Sequence, residues 1–121
     1  LMTSLQNVAS KLTGNSMDQC VRDCLACYEE CVSCIPHCLT QGGKHADPKH
    51  IKLMMDCAEA CEMSARMMLR KSDFHYEHCA FCAKICDACA ESCEVVDPND
   101  SMMQKCAELC RKCAESCRSM A

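Results

Sequence analysis

The 121-residue chain has no tryptophan, and its only aromatic side chains are Tyr28, Phe74, Tyr76 and Phe81. A core built on large aromatic rings is therefore excluded. Glycine and proline number 3 each, too few for a loop-rich, cross-linked knot. No apolar run approaches the length of a membrane span. No basic stripe is present either. The 13 basic and 17 acidic residues leave a net charge of −4, which argues against a nucleic-acid partner. No hydrophobic signal segment opens the chain. A cytoplasmic protein is expected, with an exported one whose signal has been removed as the alternative.

What the chain does have is cysteine, 17 of them, with 10 methionines. Together with alanine they supply most of the 50% apolar content. Reduced cysteine packs as a small hydrophobe, so it can form a core without metal. An odd number leaves at least one thiol over in any disulfide framework.

The spacing is more telling than the count. The cysteines fall into four runs: Cys20, Cys24, Cys27, Cys31, Cys34 and Cys38; Cys57 and Cys61; Cys79, Cys82, Cys86, Cys89 and Cys93; Cys106, Cys110, Cys113 and Cys117. Within each run the steps are only 3 or 4. This is the interior seam of a helix in a bundle. The seam continues beyond the cysteines through Met17, His50, Met54, Ser64, Met68, His75, Met103 and Met120.

The expected fold is all-α: an antiparallel four-helix bundle with a cysteine-lined core and a short N-terminal helix. Residues 1–14 read as an amphipathic helix laid on the bundle, which occupies 15–121. Helices are expected over roughly 17–39, 48–71, 73–95 and 99–119. Pro36 should kink the last turn of the first. Asp47 with Pro48 opens the second, and Ser72 or Asp73 caps the third. Short links make neighbours antiparallel. The 40–47 and 96–100 loops then share one end of the bundle.

A tube of thiolates selects soft metals, Cu(I) first and Zn(II) behind it. Bare buried thiolates would be prohibitive. About one Cu(I) per thiolate leaves the filled core near neutral, because each ion displaces a thiol proton. All 17 cysteines are candidate ligands, paired at i and i+4 along each helix and joined by facing helices. No single cysteine has the His–acid set of a nucleophile, so no enzyme is expected. A thiol-redox reservoir and a Zn or Cd sequestering protein are the competing readings.

The run CxxxCxxCxxxCxxCxxxC at 20–38, CAEAC at 57–61, CAFCAKICDACAESC at 79–93 and CAELCRKCAESCRSM at 106–120 resembles the bacterial copper storage proteins. The resemblance covers residues 17–121. It implies Cu(I) stored along a four-helix core, a homotetramer and copper entry at one open end; a copper chaperone is a candidate partner. It also implies a mouth lined by His and Met near the first loop, here His37, His50, Met54 and Met103. The family's cytosolic members often carry Cys or His where this chain has His50, Met102 and Met103. The Met-rich mouth is closer to exported members. His45, His75 and His78 read as surface residues.

Overall fold

The computed structural model describes residues 15–120. The short helix expected over 1–14 lies outside the described residues. Four helices follow: α1 Asn15–Gln41, α2 Pro48–Leu69, α3 His75–Val96 and α4 Ser101–Met120, with a 3-10 turn at Gly43–Ala46 between the first two. Each helix packs on two neighbours, in the ring α1–α2–α3–α4–α1. The links are short, so consecutive helices run antiparallel.

Each boundary has a local cause. The α1 helix runs through Pro36 to Gln41 without interruption. The proline costs it one N–H donor but does not end it. Termination falls to Gly42 and Gly43, at φ 71° and 56°. A side chain there would cost about 1–2 kcal/mol. The Gly42 N–H donates to the Cys38 carbonyl at 3.1 Å.

Asp47 takes the N-cap position of α2, as expected, with Pro48 in the first turn. Its side chain makes no capping bond; its carbonyl accepts the Ile51 N–H at 3.0 Å. The α2 helix ends at Leu69, two residues before the expected Lys71. Lys71 N–H donates to Met68 O and Ser72 N–H to Met67 O, a Schellman closure with Lys71 at φ 55°. The cap of α3 is Phe74, not Ser72 or Asp73. Ser72 Oγ instead accepts the Phe74 N–H at 3.2 Å and shapes the link. Asp100 caps α4: its Oδ1 accepts the Met102 and Met103 N–H groups at 2.8 and 3.1 Å.

The core matches the expected seam. All 17 cysteines are fully buried. Met54, Ser64, Met68 and Met103 are buried with them. Alanines directly follow many cysteines, and Ala58, Ala83, Ala90, Ala107 and Ala114 are buried at the helix contacts. Small residues there let the backbones approach, which keeps the tube narrow. Phe74, Tyr76 and Phe81 lie outside, each more than half exposed. Among the described residues, no helix is long and apolar enough to cross a membrane.

Candidate metal centre

Helical periodicity sends every cysteine to the bundle axis, and the sulfurs there form a continuous column. Its tightest contacts are between helices: Cys24–Cys113 and Cys61–Cys86 at 3.5 Å, Cys24–Cys117 and Cys27–Cys110 at 3.6 Å. Neighbours along one helix are slightly looser. Cys20–Cys24, Cys27–Cys31 and Cys113–Cys117 stand at 4.0 Å, and Cys82–Cys86 at 3.8 Å. The i,i+4 pairs are thus halves of cross-helix clusters.

These clusters overlap. Cys20, Cys79 and Cys117 form one at the end beside the α2–α3 link. Next come Cys24, Cys82, Cys113 and Cys117; then Cys27, Cys61, Cys86 and Cys113; then Cys27, Cys31, Cys57 and Cys110; then Cys31, Cys89, Cys106 and Cys110. Within each, the ligand atoms lie within 4.8 Å of one another. Consecutive clusters share Cys117, Cys113, Cys27, and the pair Cys31 and Cys110. With metal–sulfur bonds of roughly 2.3 Å, sulfurs around one ion sit about 4 Å apart. The column is spaced for metal before any metal binds.

Burial works against the thiolate throughout the column, but hydrogen bonds from Cys110 pull Cys27 and Cys106 the other way. Hydrogen bonding from Cys113 and burial push the Cys61 thiol up; Cys106 and burial do the same for Cys110. At the rim, burial and then the Asp100 carboxylate push Cys38 up to about 11. Metal must therefore displace protons.

The end beside the first loop carries a mixed donor set centred on Cys38. Its sulfur lies 3.4 Å from His45 Nδ1, 3.6 Å from His50 Nε2 and 3.7 Å from Met103 Sδ. Each imidazole is oriented from behind. His45 Nε2 is 3.0 Å from Asp97 Oδ2, and His50 Nδ1 is 2.7 Å from Ser92 Oγ. A proton on the outer nitrogen leaves the inner lone pair toward Cys38, the arrangement seen behind metal-bound histidines. Burial also lowers the His50 pKa and favours its neutral form. Asp100 is the hinge of the rim. Despite burial, which works the other way, hydrogen bonds from His37, Met103 and Met102 hold its carboxyl below the usual range.

The structure brings His50 and Met103 to Cys38, and buries Met54 on the same seam. It does not bring His37 there. His37 Nε2 is 2.8 Å from Asp100 Oδ2, its side chain is 21% exposed, and its ring stands edge-on to His45 at 5.6 Å. His45 is the residue sequence reasoning missed: it is buried, not on the surface. It sits in the 3-10 turn, where the helical register that marks the other seam residues is broken. Ser92 and Asp97 were missed for a similar reason, since they act behind the donors.

The opposite end also departs from expectation. His75 is buried and His78 is half-buried. His78 Nδ1 meets the buried Ser64 Oγ at 2.9 Å. Cys79 lies among Cys117, Cys20 and Ser64. Cys117's hydrogen bond lowers its pKa, but Cys20 and burial outweigh it and push it up to about 12.

Known proteins share this fold. The family model for copper storage proteins matches residues 13–121. The Cu(I)-bound copper storage protein BsCsp3 superposes with a TM-score of 0.81 at 37% identity, covering 88% of this chain and 98% of that one. The apo copper storage protein 3 of Bacillus subtilis gives 0.78 at 38% identity, over 86% and 97%. The crystal structure of Nmul_A1745 from Nitrosospira multiformis gives 0.82 at 44% identity, over 88% and 95%. A curated relative, the uncharacterized cysteine-rich protein YhjQ of Bacillus subtilis, is 38% identical over 71 residues. That match takes in 59% of this chain and 66% of the relative's length, just under two thirds.

Proposed function

The chain belongs to the copper storage protein family, and from that premise we propose that it stores and buffers many Cu(I) ions on the thiolates of its core. The observation that carries the reading is the sharing of cysteines between successive clusters. Isolated structural zinc would need closed, separate sets of about four ligands. A shared ladder of soft donors suits a monovalent soft ion that accepts two or three sulfurs and moves between sites. Each Cu(I) bound releases one thiol proton, so loading changes the core charge little.

All 17 cysteines are proposed ligands. The Cys38 end is the proposed port. Side-chain exposure falls from His37 at 21% to His45 at 9%, and Cys38 behind them is fully buried. His37 then meets the incoming ion, His45 and His50 accept it, Met103 and Met54 soften the site, and Cys38 hands it to the column. Such a port suits ligand exchange with a copper chaperone. Thiols kept reduced at this density favour the cytoplasm.

A homotetramer is also proposed. Leu25, Val32 and Leu39 recur every seven residues along α1, each 39–56% exposed. Half-buried Tyr28 and Ile35 lie between them. This is a second seam on the outer face of α1, suited to pairing with another copy.

The test is an anaerobic Cu(I) titration of fully reduced protein against a competing chelator, with helicity followed in parallel. Tight uptake of many ions with little change in helicity is expected. Uptake of only about one to four ions would overturn the storage reading in favour of structural metal.

A further inference from the structure

The thiol column has a second end, beside the α2–α3 link, and one polar atom there has no structural use. His75 Nε2 is buried and has no hydrogen-bond partner among the described residues. The residue as a whole is only 6% exposed. Its other nitrogen, Nδ1, lies 2.8 Å from the Ser72 carbonyl oxygen. A carbonyl only accepts, so the proton sits on Nδ1. Nε2 therefore carries an unshared lone pair with no access to solvent. Leaving such an acceptor unsatisfied costs free energy, and a buried orphan asks for a partner.

The surroundings say which partner. His75 precedes Cys79 by four residues on α3, so both lie on one face of the helix. Cys79 belongs to the three-sulfur cluster with Cys20 and Cys117. The nearby hydroxyl is already engaged, since Ser64 Oγ meets His78 Nδ1 at 2.9 Å. Met68 and Met120 are buried at the last seam positions of α2 and α4 and close this end against water. The ring is backed outside by Tyr76, with centroids 4.0 Å apart.

We propose that this distal end is a mixed-donor Cu(I) site, in which His75 Nε2 joins the thiolate of Cys79 and one further thiolate of the Cys20, Cys79 and Cys117 cluster. The proposal rests on the storage reading. The column runs out of thiolates here, and a neutral imidazole completes the coordination of the last ion without adding negative charge. Each cysteine that binds releases its thiol proton, while His75 contributes a lone pair and releases none. Imidazole and thiolate together suit Cu(I). The backbone carbonyl behind Nδ1 fixes the tautomer, as outer partners do for metal-bound histidines.

The test is imidazole 15N and cysteine 13Cβ NMR of the full chain during anaerobic Cu(I) loading. His75 Nε2 is expected to shift with the Cβ signals of Cys79 and of Cys20 or Cys117, while His78 stays near its copper-free position. The His75→Gln variant is expected to bind about one Cu(I) fewer per chain, with unchanged helicity before loading. If that variant does not fold, the spectra of the unaltered chain decide alone. Cysteine shifts at this end with an unmoved His75 Nε2 would overturn the proposal and leave a thiolate-only terminus. If no cysteine signal moves anywhere, the storage reading itself fails, and this site with it.

Discussion

At the scale of the residue, cysteine does two jobs that oppose each other. As a neutral thiol it fills the core; as a thiolate it binds metal. Burial, with Asp100 adding to it, pushes Cys38 from an ordinary 9.0 to about 11. A raised thiol pKa means the folded state favours the neutral form. That contribution is fully present below pH 9.0 and is lost as the pH rises through about 11. For Cys38 it amounts to roughly 3 kcal/mol. Thermal melts of the reduced, copper-free protein should therefore fall steeply above pH 9. A flat profile to pH 11 would show that the thiols are not desolvated as the fold implies. The methionines have a different task. Replacing Met54 and Met103 by Leu conserves volume and should cost less than about 1.5 kcal/mol each. Stopped-flow loading should slow while total Cu(I) capacity barely changes; a large loss of capacity would count against the port.

At the scale of the element, the helix ends are where local chemistry decides. The α2 helix closes with a Schellman pair around Lys71 at φ 55°, a conformation that glycine adopts without strain. Lys71→Gly should stabilise the copper-free bundle by about 0.5–1 kcal/mol, read as a rise in melting temperature. An unchanged or lower midpoint would mean that the Lys71 side chain has contacts that outweigh the strain. The rim depends on a similar device. Asp100 both caps α4 and receives His37, so the port is tied to a helix start and not to a free loop.

At the scale of the whole molecule, four narrow helices hold the sulfurs at metal-ready distances before loading. Little reorganisation is then needed to bind. The outer faces are mostly charged. Arg111 is paired with Asp87 and Glu94, and Arg118 with Asp87. The α1 stripe is an apolar exception. Replacing Leu25, Val32 and Leu39 by Lys should disperse the proposed tetramer into smaller species, measured by light scattering on a sizing column. Monomer helicity should persist, because all three side chains already reach solvent, at 39–56% exposure. An unchanged mass would place the interface elsewhere.

The linear pattern of residues determined a great deal on its own. Steps of 3 and 4 leave a helical cysteine one place to go, so the bundle, the seam and the soft-metal core follow from Cys20 through Cys117. Short links then set the antiparallel order and put the 40–47 and 96–100 loops at one end. Periodicity carries no information once the register breaks. His45 lies in a 3-10 turn, and only the packing of that turn over Cys38 and Asp97 reveals it. His37, four residues from Ser33 and one from Cys38, sits off the seam and turns to Asp100. The clusters themselves were equally out of reach of spacing. Which sulfurs share an ion depends on the axial offset between helices, and that offset is decided by side chains interdigitating in three dimensions.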